Sequence, residues 1–372
     1  MAKEDKNKTV ELEQGYNGVT VIGKAKEYSI GIYEVKKKIT DDNGDEREIV
    51  SAYISGRLVT DVNGSAVNNW IRFNKHRNDG EKNQMFDNIC TAFGIDCGYD
   101  ESKGQATYNF KAVNGITPSI KSEFILRRVD EDKDTQTVTP IAGNVENATM
   151  CKVKGTIGRN TMLNKDKSNV VVAKRINVTA IEKNVNEDER ATFAVDGFIE
   201  NIIKRTDANG DETGELDVSF VIPAYNNVDV LTFRVPAKWQ VEDITLTSEE
   251  FYEWAIEAVT VDSYSMVKIM GNITTISTGR QPKKSSRAFG QQVELNSGFT
   301  RTEWQISGGD LPDTEQIVDA QALKDIMTEW GVFLDAEYKR LKDRDTNGGV
   351  PNSDKPQGQG VKGKINKKDL PF

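Results

Sequence analysis

The sequence predicts a mainly β protein of small barrels, two in number, with a few helices, a long C-terminal helix and a disordered tail. Three observations carry this expectation. From about Gly18 to Phe299, short segments alternate apolar and polar side chains between turn signals. Glycine stands mid-segment in Val21-Ile22-Gly23-Lys24-Ala25 and again in Val153-Lys154-Gly155-Thr156-Ile157, where the coiled first strand of a small barrel must bend sharply. Near the end, one long apolar stripe at helical spacing gives way to residues with almost nothing to bury.

Residues 1–15 are polar and are expected to be a flexible leader. The first barrel is expected over 16–130, with strands at 19–38, 47–60, 67–77, 105–113 and 122–129. Its sharpest turn is Asp42-Asn43-Gly44-Asp45, and a helix over 81–93 places Met85, Phe86, Ile89 and Phe93 on one face before Gly94. The polar stretch 131–147 is expected to link the barrels. The second barrel is expected over 148–312, with strands at 149–159, 169–183, 191–206, 215–236 and 264–278. Its clearest hairpin alternates Leu216, Val218, Phe220 and Ile222 with polar neighbours, then repeats the pattern with Leu231, Phe233 and Val235. A helix over 248–259 carries Thr247 and Glu250 at capping-box spacing. Residues 313–344 are expected to form the C-terminal helix, its stripe of Leu323, Ile326, Met327, Trp330, Leu334, Tyr338 and Leu341 docked on the chain's own core. From 345 to 372 the chain is Gly, Asn, Asp, Lys, Pro and Gln, a flexible tail ending in Asp369-Leu370-Pro371-Phe372.

Composition removes several function classes. A single histidine speaks against histidine-based nucleophiles and metal sites, and Cys90, Cys97 and Cys151 lack the close pairing of a zinc ribbon. No Gly-rich phosphate loop with Lys-Ser/Thr occurs. No catalytic residue, metal or cofactor is expected. No apolar run approaches a membrane span, and sparse cysteines fit a reducing cytoplasm, that of a bacterial host if a phage encodes the chain. The net charge of -9 argues against a generic polyanion binder, yet a local basic groove governs contact.

The C-terminal tip is the sharpest local feature. A terminal Phe offers a ring and a carboxylate on one residue, proline limits the entropy lost on docking, and Asp369 adds charge for a basic rim. Asp369, Leu370, Pro371 and Phe372, behind a polar linker, resemble the tip of bacterial and phage single-stranded DNA-binding proteins. That resemblance implies OB-fold barrels that coat single-stranded DNA and a tip that recruits replication, recombination and repair proteins. It covers those four residues, and the chain departs from the pattern by carrying Lys362, Lys364, Lys367 and Lys368 where acidic residues are usual. The oligomeric state is left open.

Sequence-tolerant binding of a single strand needs aromatic faces and cations on one surface. Strand alternation puts Trp70, Arg72, Asn74 and His76 on one face of 67–77, with Ile71 and Phe73 opposite; in 52–58, Tyr53, Ser55 and Arg57 share a face. Tyr53, Arg57, Trp70, Arg72 and His76 are thus the expected stacking surface; the alternative is a Trp packed beneath a helix with surface arginines nearby. Further expected DNA contacts are Tyr108 and Lys111, then Arg159, Lys174 and Arg175 beside Lys165 and Lys167, and Arg280, Lys283 and Lys284 in a Gly/Pro/Ser context. The competing reading is a β-rich virion or other structural protein that ignores DNA.

Overall fold

The computed structural model describes residues 12–40, 44, 46–75, 80–100, 102, 105–110, 115–120, 122–128, 136–138, 146–207, 209–224, 227–260, 262–278, 299–310 and 312–346. His76, Lys111, the segment 279–298 with Arg280, Lys283 and Lys284, and Asp369, Leu370, Pro371 and Phe372 lie outside the described residues. Tyr108 falls on a described strand, but its side chain lies outside them.

The first barrel opens with β1 (Asn17–Thr40), β2 (Glu46–Val62) and β3 (Ser65–Lys75), followed by α1 (Gly80–Ala92). Four shorter strands are then inserted: β4 (Ile95–Asp100), β5 (Gln105–Phe110), β6 (Glu123–Arg128) and β7 (Gln136–Val138). The barrel closes with β8 (Met150–Leu163) and β9 (Val170–Lys183). The pairings run β1-β2-β3-β9-β8 and back to β1, with β3 and β9 parallel and the other pairs antiparallel. The second barrel repeats that plan with β10 (Arg190–Thr206), β11 (Glu212–Ala224) and β12 (Asn227–Val235), then a ribbon of β13 (Lys238–Val241) and β14 (Ile244–Thr247), and α2 (Ser248–Glu257). It closes with β15 (Ser263–Thr278) and β16 (Phe299–Gly309), β12 and β16 being the parallel pair. Each circuit is a five-stranded Greek-key barrel with a helix between its third and fourth strands, the OB arrangement. The protein is mainly β, with OB-like barrels and a C-terminal helix. Two elements follow, β17 (Asp313–Asp319) and α3 (Ala320–Thr346).

In both barrels the first strand changes partner at a glycine. β1 pairs β8 through Lys24 and β2 from Lys24 onward, next to Gly23. β10 pairs β15 through Gly197 and β11 from Phe198 onward. A Cβ at Gly23 would strike the Asp61 carbonyl oxygen, and one at Gly197 the Val221 carbonyl oxygen. Glycine is required there because two partner strands converge on one backbone. The expected echo was therefore misplaced: Val153–Ile157 lies in the fourth strand of the first barrel, and the true counterpart of the Gly23 segment surrounds Gly197.

Pairing also corrects the expected boundaries. β8 and β9 close the first barrel, so residues 148–183 do not belong to the second and 131–147 is not the join. The barrels meet between Lys183 and Arg190, and β1 pairs β10 directly from Asn17↔Val195 to Ile22↔Arg190. Sequence order carries no sign of such long-range partners. Residues 313–319 form strand rather than helix: adjacent Ile317 and Val318 favour an extended edge on β15, and α3 begins only where Asp319 accepts a hydrogen bond from the Ala322 amide (2.7 Å). α3 runs to Thr346, two residues into the expected tail. Of the expected leader, Leu12 packs against a cluster that includes Phe198, Val318, Leu323 and Ile326.

The helices otherwise match their spacing. The capping box of α2 forms, with the Thr247 amide donating to Glu250 (2.7 Å) and the Glu250 amide to the Thr247 hydroxyl (3.3 Å). Leu323, Ile326, Trp330 and Leu341 of α3 are buried. Cys90 and Cys151 are buried and form no disulfide, and burial pushes the Cys151 thiol up to about 12. No helix among the described residues is long and apolar enough to cross a membrane.

Candidate nucleic-acid interface

β2 and β3 pair with Arg57 opposite Trp70 and Ser55 opposite Arg72. Ile54, Leu58 and Ile71 point into the barrel and are fully buried, so their alternates are forced outward. Trp70 is 43% exposed, which excludes the alternative of a tryptophan packed beneath a helix. The Arg72 guanidinium lies 5.6 Å from the centroid of the Tyr53 ring, a cation–π contact, and Tyr53 in turn meets Tyr33 of β1 at 5.9 Å. Tyr33 extends the aromatic row and was missed in the sequence, where the long β1 segment gives no cue to its cross-strand partner. Arg57 is half committed: its Nη2 holds Glu27 at 3.1 Å.

The β8–β9 hairpin brings a second set of basic residues to the same barrel. Arg175 of β9 feels Arg72, Arg159, Asp229 and Tyr53. Burial lowers its pKa most, Arg72 and Arg159 lower it further, and Asp229 and Tyr53 oppose them. Neither Arg72 nor Arg175 hydrogen-bonds or ion-pairs with another described residue, and the Arg175 Nε is buried without an acceptor. Arg159 and Lys174 have other work. Arg159 binds Asp229 of β12 and the Val228 carbonyl (3.0 Å), and its guanidinium stacks over Phe333 of α3 at 4.3 Å. Burial pushes the Asp229 carboxyl up, against the pull of Arg159. Lys174 donates to the Thr232 carbonyl and lies 5.0 Å from the Phe233 ring. These two residues hold the first barrel to the second and to α3. Lys167, at the hairpin turn, pairs with Asp345 (2.5 Å).

The second barrel, around β11 and β12 with their neighbours β10 and β16, is different in kind. Arg205 holds Glu215 (3.3 Å) and Asp217 (3.2 Å), while Arg234 holds Glu303 and reaches Glu215 at 3.8 Å. Its cations are neutralised and its aromatics, Phe220 and Phe233, are inside the barrel. Among the described residues, the aromatic face with unpaired arginines belongs to the first barrel. No three His, Cys, Asp or Glu side chains among the described residues converge as a metal site would require.

Comparisons with known proteins add the following. Two crystal structures of the single-stranded DNA-binding protein from Thermus aquaticus resemble the chain. The wild type has a TM-score of 0.33 and 10% identity over 81% of this chain and 95% of that one. A deletion mutant of the same protein has a TM-score of 0.31 and 11% identity over 81% of this chain and 96% of that one. No curated protein matches the sequence. The YorF family model matches residues 133–339, more than half of the chain, and spans the end of the first barrel, the whole second barrel and most of α3. The chain belongs to the YorF family.

Proposed function

We propose that the protein binds single-stranded DNA without sequence preference, on the β2–β3 face of the first barrel, as a stoichiometric coat rather than a catalyst. The observation that carries this is one surface with an exposed Trp70, a Tyr53 ring under Arg72, and two arginines with no acceptor among the described residues. OB barrels bind oligonucleotides on the second and third strands and on the loop between the fourth and fifth. In the first barrel that loop is the turn of the β8–β9 hairpin, with Arg175 further along β9, opposite Gly158. Bases stack on Trp70 and Tyr53; Arg57, Arg72 and Arg175 meet phosphates. His76, Tyr108, Lys111, Arg280, Lys283 and Lys284 are assigned to the same strand from their residue types alone. Arg159 and Lys174 support the interface by holding the barrels together.

Asp369, Leu370, Pro371 and Phe372 are assigned to recruitment of replication, recombination or repair proteins, in a bacterial cytoplasm and a phage setting. A fluorescence-anisotropy titration with oligo-dT and a matching duplex, at low and moderate salt, tests the binding reading. The single strand should be preferred, and Trp70→Ala should cost about 1–3 kcal/mol, one stacked base. Equal binding of the duplex, or an unchanged Trp70→Ala variant, would return the structural-protein reading. In the same assay, deleting 369–372 should leave DNA affinity intact while removing capture of a replication partner; retained capture would end the tip assignment.

A further inference from the structure

Arg72 on β3 and Arg175 on β9 belong to neighbouring strands of one barrel, β3 and β9 pairing in parallel at Asn69↔Ile176 and Trp70↔Asn177. We propose that these two guanidiniums together grip a single backbone phosphate of the bound strand, an inference that rests on the single-strand reading above. Arg72 and Arg159 both lie within electrostatic reach of Arg175. The carboxylate that faces Arg175, Asp229, is already held by Arg159. Arg72 and Arg175 thereby form no ion pair among the described residues although both are half-buried, and the Arg175 Nε is shut away from solvent without an acceptor.

Such an arrangement costs folding free energy, because a buried donor has lost its water without gaining an acceptor and like charges repel. Among the described residues nothing offsets that cost. A phosphate would do so: its oxygens match the forked donors of guanidinium groups and its charge offsets both arginines. Arg72 and Arg159 are also held before the strand arrives. Arg72 rests against the Tyr53 ring, and Arg159, whose charge Arg175 feels, is clamped between Asp229 and Phe333. Trp70, two residues from Arg72 on the same face, sets a base beside the gripped phosphate.

The shared-phosphate assignment differs in outcome from two independent contacts. Binding of oligo-dT is measured by anisotropy over a salt series for wild type, Arg72→Gln, Arg175→Gln, the double variant and Trp70→Ala. For a single strand, each neutralised phosphate contributes about 0.7 to the slope of log affinity against log salt, so one shared phosphate predicts a loss of about 0.7 in the double variant, and two separate phosphates about 1.4. A dT oligomer with a neutral methylphosphonate backbone should bind wild type and Arg175→Gln equally. Thermal melting separates this from a structural role: Arg175→Gln should melt at the same temperature as wild type or higher, since crowding of like charge is relieved. A lower melting temperature, an unchanged salt slope in the double variant, or a loss near 1.4 would overturn the proposal. Weakened binding by Trp70→Ala with both arginine variants unaffected would remove the phosphate grip alone. A wild-type protein that ignores the single strand would remove both readings.

Discussion

Asn69 and Trp70 are sequence neighbours on β3 with opposite fates. Asn69 is fully buried, and its Nδ2 lies 3.0 Å from the Leu58 carbonyl, 3.2 Å from the Thr60 hydroxyl and 3.3 Å from the Val67 carbonyl. Trp70 faces outward, as two-residue periodicity requires. Asn69→Ala should lower stability by about 1–3 kcal/mol, because polar groups inside the barrel lose their donor. Urea unfolding checks this; a variant as stable as wild type would show that the amide has no structural role. The outward set Tyr53, Arg57, Trp70 and Arg72 was legible in the sequence because alternation is a local property. The neutralisation of Arg159 was not. Its partner Asp229 lies on another barrel, and no local pattern in either strand announces the pairing.

At the scale of elements, α3 is fastened to the first barrel by polar contacts at one end and aromatic ones in the middle. The Thr161 hydroxyl donates to Glu337 (2.8 Å), Arg340 donates to the same carboxylate (2.7 Å), and the Tyr338 hydroxyl donates to the Lys167 carbonyl (3.3 Å). Burial alone would raise the Glu337 pKa, but the hydrogen bonds from Arg340 and Thr161 and the charges of Arg340 and Arg159 hold it below the usual glutamate range. A carboxylate lowered in the folded state stabilises it at pH values above the ordinary glutamate pKa, and the benefit disappears as pH falls through the folded value. Wild type should therefore melt above Glu337→Gln at neutral pH, and the two should converge on acidification. A gap that persists undiminished into strong acid would show that the Glu337 charge does not fasten the helix. The helix itself was legible from its stripe; its start was not, because residues 313–319 pair with β15, a partner that local periodicity cannot reveal.

For the whole molecule, the barrels are two copies of one plan joined through their first strands. That composition was legible in the number and spacing of strand segments, but not in the glycines, whose expected echo fell at Gly155 rather than Gly197. The closure was not. Met150 to Lys183 follow an insertion of four strands, and they return to β1 and β3 rather than pairing forward. Because β1 and β10 share a ladder, damage to one barrel should be felt in the other. Gly197→Val, which drives a side chain into the Val221 carbonyl, should cost about 1–3 kcal/mol as an overpacked position. Hydrogen exchange should then quicken in β2 and β3 as well as in β11. Loss of protection confined to the second barrel would show that the two unfold independently.

The β1–β10 ladder also bears on how the chain is made. Asn17 to Ile22 leave the ribosome early, yet the partners that cover their second edge, Arg190 to Val195, are synthesised far later. Until then one edge of the nascent barrel is open and able to pair with another chain. Prematurely terminated products that end ahead of Arg190 would carry a sticky edge, whereas the completed chain buries it within itself.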